Sequence, residues 1–550
     1  MILDAPMRIA IAQINTILGD FSFNRKKIVD YCHQAKKQNC DLVVFPELSL
    51  MGYLPMDLLE RGSVVEAQLK EFAQLQKELP SGLNILLGLI TPCKAKKGKP
   101  FYNSAALVCK GKKPRFFHKE LLPTYDVFDE ARHLEKGNCK KNFFTFRGKR
   151  ILVTICEDIW GWELPDHPSN YLSNPLLGLK GEKVDLILNM SASPFTKRKR
   201  RDRHFVTQKT ALLFKAPLIY TNLVGAQDEI IFDGASFAID KKGQLLTQSP
   251  GFTEDLNIID FFSTTKNDKP KPKATLKSSA TETLKDALVI GLRDYVLKTG
   301  FQKVHLGLSG GIDSAVVACL AVEALGPQNI VGFTLPGPFN DPLSLELAEQ
   351  LASNLKIQCL NAPIGPSYEL AIDELKKAMG DFSFGIVNEN LQARLRGLYL
   401  MAYSNKENSL LLSTGNKSEY ATGYSTLYGD MCGGLAPIGD LTKSEVYTLA
   451  EFYNRKVELI PKTIITRPPS AELRPNQKDQ DSLPPYHELD ASVVRLIEQK
   501  RRAKTETDRW LLEKIYRSEF KRWQAPPILK VSQHAFGRGR RFPLAHKAKT

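Results

Sequence analysis

The 550-residue sequence has no apolar run approaching the roughly 18–20 residues needed to cross a bilayer, so a membrane-spanning protein is not expected. Its opening, MILDAPMRIAIAQIN, lacks a basic region followed by an apolar stretch and a small-residue cleavage site. It reads as a few loose residues leading into a strand, with Met7 as an alternative start, and a cytoplasmic enzyme is expected. Nine cysteines are present, but none forms the two-residue-spaced pairs of a zinc knuckle. A disulfide framework is not expected either, because a chain this long can bury a large core without one. The GxxxxGK[ST] loop of common nucleotide hydrolases is missing, and no GxGxxG dinucleotide fingerprint follows a strand.

What is present is an excess of positive charge, +16 from 76 Lys and Arg against 60 Asp and Glu. Such an excess fits an anionic partner, either nucleic acid or a phosphate-rich ligand. The densest run, Lys197-Arg198-Lys199-Arg200-Arg201, reads equally as a solvated face.

The length predicts two or three domains. In the first half, short runs such as MRIAIAQI, DLVVFPEL, NILLGLI, RILVTIC and DLILNMSA alternate with helical stretches, which predicts layered sheets with helices outside. Residues 263–280 are rich in Lys, Pro, Ser and Thr and read as a linker between a domain at 1–262 and another at 281–550. Beyond it, strand KVHLGLS, helix DSAVVACLAVEALG and strand NIVGFTL predict a doubly wound parallel α/β sheet.

Three segments of the first half place reactive groups at strand ends. FPELSLMGY carries Glu47, RFFHKELLPTYDVFDE carries Lys119 and ILVTICEDIW carries Cys156. A thiol, a carboxylate and an ammonium suffice for acyl transfer. The carboxylate takes the thiol proton, the ammonium stabilises the charged tetrahedral intermediate, and a nearby base or cation is expected to raise the thiolate fraction. Together and in this order these segments resemble the nitrilase superfamily, across roughly residues 7–262. The resemblance implies an α-β-β-α sandwich and a glutamine amide-hydrolysing triad: Glu47 as general base, Lys119 as intermediate stabiliser and Cys156 as nucleophile. It further implies that Tyr125, Ser193 and Lys199 bind glutamine and that Glu130 lines the site. The family usually has Gly before the basic residue, whereas Arg198 stands here, so Arg198 and Lys197 remain alternatives to Lys199.

In the second half, LGLSGGIDSAVVACL joins a strand to a helix through Ser309-Gly310-Gly311-Ile312-Asp313-Ser314. Glycines let consecutive N–H groups converge, and the helix N-terminus adds positive potential, so this loop reads as a phosphate cradle. It resembles the loop of the ATP pyrophosphatases, which split ATP into AMP and pyrophosphate. NENLQARLRG (from Asn388), STGNKSEYATGYSTLYGDMCGG (from Ser413) and ILKVSQHAFGRGRRFP (from Ile528) resemble NAD synthetases. With both halves considered, the chain is similar to the glutamine-dependent NAD synthetase family across nearly its whole length. The resemblance implies ATP contacts at Gly307, Leu308, Ser309, Gly310, Gly311, Ile312, Asp313, Ser314, Thr414, Lys443 and Ser470. It implies deamido-NAD contacts at Asn390, Glu419 and Lys530, and a magnesium ion on Asp313 and Glu419. Lys417 is expected near the phosphates, with Arg394 and Arg396 as further phosphate partners. The Pro-rich segment from Arg467 to Asp490 is expected to be a lid. The partners implied are ATP, deamido-NAD and L-glutamine, with no nucleic acid or membrane and with a homo-oligomer built on a synthetase-domain dimer.

Overall fold

The computed structural model describes residues 6–95, 97–262 and 278–546. These divide into two compact units: residues through Gln227 and from Ile231 to Phe262 form one, and residues from Ser278 onward, with Asp228–Ile230, form the other. Most of the expected linker, 263–277, lies outside the described residues. Its end carries a helix start, where the Ser279 hydroxyl accepts a hydrogen bond from Glu282 N and caps helix Ala280–Lys298.

The first unit is an α-β-β-α sandwich. One six-stranded sheet has the order Asp255–Phe261, Met7–Gln13, Leu42–Val44, Asn84–Pro92, Phe101–Cys109, Arg115–His118. The other runs Leu245–Gln248, Phe237–Ile239, Leu218–Asn222, Leu186–Ser191, Lys149–Ile155, Phe143–Phe146. The layering follows from period-two alternation. Met7, Ile9 and Ile11 face the inter-sheet core, where they meet Ile151, Val153 and Ile155. Ala10 and Ala12, on the opposite face, pack beneath Ile28 and Cys32 of helix Phe21–Lys37. On the far sheet Leu152 and Ile187 turn outward to Val206 and Phe214 of helix Lys199–Phe214. Strands buried on both faces must be apolar throughout, which is why they read as continuous runs.

The second unit holds a four-stranded parallel sheet in the order Gln358–Asn361, Ile330–Thr334, Val304–Gly307, Leu410–Leu411. From Val304–Gly307 the chain steps outward through helix Ile312–Leu325 to Ile330–Thr334, then through helix Pro342–Leu355 to Gln358–Asn361. Strand Leu410–Leu411 then pairs on the other side of Val304–Gly307. The order reverses there, opening a crevice at the carboxyl ends of the strands. Among the described residues no helix is long and apolar enough to cross a membrane.

Candidate active sites

In the first unit, Glu47, Lys119 and Cys156 all stand just past strand ends, where rigid sheets hold side chains in place. Lys119 and Glu47 are completely buried and Cys156 nearly so. The Lys119 ammonium donates to Glu47 Oε1 (2.7 Å) and to Glu130 Oε1 and Oε2 (2.8 and 2.9 Å). Asn103 Nδ2 also donates to Glu47 Oε1 (2.8 Å), and Ala192 N to Oε2 (3.0 Å). Tyr53 holds Glu130 from behind (2.8 Å). Burial alone would pull the Lys119 ammonium down, but Glu130 and Glu47 outweigh it and hold it well above its ordinary value. Burial also pushes Glu130 up to about 7, against the pull of Lys119.

Cys156 opens a short 3-10 turn with φ of 45°, a left-handed conformation uncommon for residues other than glycine. Of its neighbours, Lys119 acts as expected and favours the thiolate, whereas Glu47 does not, and burial outweighs the cation. Burial pushes the thiol pKa well up, Glu47 pushes in the same direction, and Lys119 only partly opposes them. The resting nucleophile is therefore a thiol with a carboxylate nearby to receive its proton.

Around this centre the Tyr125 hydroxyl donates to Glu157 Oε2 (2.9 Å), as does Tyr171 (2.7 Å). Ser193 N donates to Asn222 Oδ1 (2.9 Å), while Arg203 donates to the Ser193 hydroxyl (3.2 Å) and carbonyl (2.9 Å). The basic run separates by role. Arg200 and the buried Arg203 share Asp233, Arg201 pairs with Asp166, and Arg198 is largely exposed with Asp166 at 4.0 Å. Lys199 instead places its ammonium 3.6 Å from the centre of the Trp160 ring, and among the described residues it has no carboxylate within 4 Å. Burial pulls it down, with Glu157 opposing. Sequence reasoning missed Glu157, although the acidic pair directly after Cys156 was a visible signal. It also missed Arg203, which carried no signal within its helix.

In the second unit a cavity of about 480 Å³ lies at the crevice. Every residue from Gly307 to Ser314 lines it, with Thr414, Lys443, Ser470, Asn390, Glu419 and Arg396. Gly310 has φ of +73°, and a Cβ there would sit 2.4 Å from Ser344 O. Gly311 N donates to the Ser309 hydroxyl (3.2 Å), and Ser314 Oγ donates to Gly311 O (3.0 Å), which tightens the loop at the start of helix Ile312–Leu325. Asp313 accepts from Asn416 Nδ2 (2.9 Å) and pairs with Lys443, whose ammonium lies 3.7 Å from Glu419. Burial, and after it Asp313, pushes Glu419 well above the ordinary carboxylate range. Two hard-oxygen donors, one of which raises the proton affinity of the other, fit a divalent cation.

Arg396 is pushed down to about 10 by burial and donates to Leu335 O (3.0 Å) and Asn340 Oδ1 (2.8 Å). The expected lid segment contributes Ser470 and Asp479 to the cavity wall. Three expected residues are not brought there. Lys417 is buried against Asp440 and Glu498, Arg394 donates to Leu427 O at the surface, and Lys530 donates to Ser532 O and Gln533 O (both 2.7 Å). Lys417 and Arg394 are drawn off by acceptors from distant segments that short motifs do not reveal, whereas Lys530 turns back onto carbonyls of its own segment.

Two family models match the chain, Carbon-nitrogen hydrolase over residues 8–265 and NAD synthase over residues 284–525. A glutamine-dependent NAD(+) synthetase of Synechocystis sp. is 43% identical over 548 residues, 98% of each chain. The chain belongs to the glutamine-dependent NAD(+) synthetase family. Its relative in Thermotoga maritima is 38% identical over 587 residues, 99% of each chain. Among solved structures, the glutamine-dependent NAD+ synthetase of Acinetobacter baumannii in complex with ADP is 34% identical, with a TM-score of 0.78 and 98% of each chain covered. That of Cytophaga hutchinsonii, 20% identical with a TM-score of 0.81, shares the fold.

Proposed function

We infer that the chain forms NAD from deamido-NAD, ATP and glutamine, with ammonia made in the first unit and consumed in the second. The reading is carried by the buried Glu47–Lys119–Glu130 cluster beside Cys156, together with the glycine cradle that opens into a cavity of about 480 Å³.

At the first site Cys156 Sγ attacks the γ-carboxamide carbon of glutamine as Glu47 takes its proton. Lys119 stabilises the oxyanion. Glu47 returns the proton to the departing nitrogen, ammonia leaves, and a thioester remains. Water, deprotonated by Glu47, releases glutamate and restores the thiol. Lys199 and Ser193 hold the substrate carboxylate, Tyr125 lines its path, and the buried Glu157 suits its α-ammonium.

At the second site the nicotinate carboxylate of deamido-NAD attacks the α-phosphorus of ATP, and pyrophosphate leaves. Ammonia then attacks the acyl adenylate, giving NAD and AMP. The N–H groups of Ser309–Ser314, with Thr414, Lys443 and Ser470, cradle the phosphates, while Asn390 and Glu419 hold the dinucleotide. Asp313 and Glu419 would hold magnesium, which when bound offsets phosphate charge. A cytoplasmic enzyme fits these metabolites.

A homo-oligomer through the second unit is supported by helix Ile386–Glu407. Its Val387, Leu398 and Met401 are exposed and fall on one face, 11 and 14 residues apart. Incubation with ATP, magnesium, deamido-NAD and glutamine should yield NAD, AMP, pyrophosphate and glutamate in equal amounts. Formation of ADP in place of AMP would rule the reading out.

Two variants test the glutamine pocket. Lys199→Ala is expected to raise the glutamine KM by about tenfold or more, because it removes a partly buried cation from a carboxylate, while Arg198→Ala leaves KM within about twofold. Equal effects would return the assignment to the whole run. A pH dependence also follows from Glu130. Protonation removes one carboxylate from Lys119, so glutamate release should decline as pH falls through about 7. Stability should move the other way. With the folded value above its ordinary 4.5, Glu130 stabilises the fold fully below that value, and this contribution is lost as pH rises through about 7. Glutamate release measured from pH 5.5 to 8.5 checks this, and an unchanged limb in Glu130→Gln would contradict it.

A further inference from the structure

The reading of Glu47, Lys119 and Cys156 as a hydrolytic triad leaves open how two of its members, carried by different sheets, keep their spacing. Lys119 follows strand Arg115–His118 at the edge of one sheet, and Cys156 follows strand Lys149–Ile155 of the other. Sheet packing alone holds strands to within side-chain tolerance, whereas bond-making needs tighter placement. One completely buried carboxylate spans the gap. Asp158 Oδ1 accepts from Glu120 N (2.8 Å) and Leu121 N (3.0 Å), the two residues after Lys119. Asp158 Oδ2 accepts from Ile155 N (2.9 Å), the residue before Cys156.

We propose that Asp158 is a positioning residue for glutamine hydrolysis, a clasp that sets the distance between the Lys119 ammonium and the Cys156 thiol.

Three features of the site argue for this over an ordinary turn cap. A cap needs only the bond to Ile155 N within its own turn; the bonds to Glu120 and Leu121 reach 38 and 37 residues back, to the other sheet. Cys156 sits at φ of 45°, and a side chain persists in that region only where its surroundings over-determine it. The bond to Ile155 N pins the Thr154–Ile155 peptide, one residue ahead of it. The carboxylate is also held at a cost. Among the described residues no cation lies within 4 Å of it, and burial pushes it up to about 6 against its three backbone donors. A position kept only for stability would favour an uncharged group there. The clasp is itself anchored, because Glu120 Oε2 accepts from Cys139 N (2.8 Å).

Asparagine keeps the shape but offers a single acceptor oxygen, so it can serve one side of the clasp and not both. In full-length Asp158→Asn, the kcat for glutamine-driven NAD formation is expected to fall by about 30-fold or more. The glutamine KM should stay within about threefold, because Ser193 and Lys199 lie on other segments, and the ammonium-driven rate should stay within about twofold. An unchanged kcat, a KM that rises in step with the fall, or an equal loss with ammonium would each overturn the proposal. Should this variant fail to accumulate, Asp158→Glu retains charge and both acceptors at a longer reach. It is expected to lower kcat less, again at constant KM, and a wild-type kcat there would overturn the proposal. Cys156→Ala serves as a parallel control. If it keeps glutamine-driven activity, the triad reading itself fails; if it is dead while Asp158→Asn is active, only the clasp fails.

Discussion

Cys156→Ala is expected to reduce glutamine-driven NAD formation by at least about 10³-fold while leaving ammonium-driven formation close to wild type. Alanine removes the thiol at the Glu47–Lys119 centre, and neither of those groups replaces it, since Glu47 and Lys119 are already bonded to each other. The other buried thiols serve the core: Cys32 packs under the helix side of one sheet and Cys139 beneath the other. The small side chain preserves the turn, and the ion pairs of Lys119 do not depend on sulfur, so the fold should persist. Ammonium supplied in solution bypasses the first site. Parallel assays of NAD and of glutamate from glutamine, and of NAD from an ammonium salt, check the result. An equal loss with both nitrogen sources would show that the roles of the two sites are wrongly divided.

Gly310→Ala is expected to do the converse, removing NAD formation from either nitrogen source by about 10²-fold or more while glutamate release continues. Two independent penalties converge on this position. Its φ of +73° costs an L-residue roughly 1–2 kcal/mol. The added Cβ would also lie 2.4 Å from Ser344 O and 2.9 Å from Ser344 Cα, both backbone atoms at the start of helix Pro342–Leu355 that cannot swing aside as a side chain does. The loop must move instead, and a shift of about 1 Å in groups aimed at a reacting phosphate costs on that order in rate. The check is ammonium-driven NAD formation measured beside glutamate release in the same preparation. Retention of ammonium-driven activity within about threefold would mean that Gly310 does not shape the phosphate site.

Much of this organisation was legible because its causes are local. The continuous apolar strands declared sheets buried on both faces, and MRIAIAQ carried both inward and outward sets within seven residues. The loop SGGIDS was readable because glycine, helix start and phosphate cradle all fall within six positions. Where the reading failed, the cause was distant in the chain. Lys417 stands three residues after Thr414, which lines the cavity, yet it is drawn away by Ser532 and Glu498, more than 80 residues off. How far the neighbours of Cys156 favour the thiolate was hidden for a similar reason: the motifs reveal which charges are near but not how deeply the thiol is buried, and burial outweighs the single cation.

The sequence by itself determined the family and the fold class of its two halves and singled out the triad and the cradle as candidates, since each rests on residue type at short spacing or on strand and helix periodicity. The tertiary structure decided which members of a motif reach the site. Among five consecutive basic residues, it placed Lys199 against Trp160 and spent Arg200 and Arg201 on Asp233 and Asp166. It also made Asp158, one acid among several in the sequence, the link between the Lys119 and Cys156 segments. The physical reason is that hydrogen bonds and ion pairs form between groups close in space, and which of many similar side chains becomes close is set only when both sheets pack.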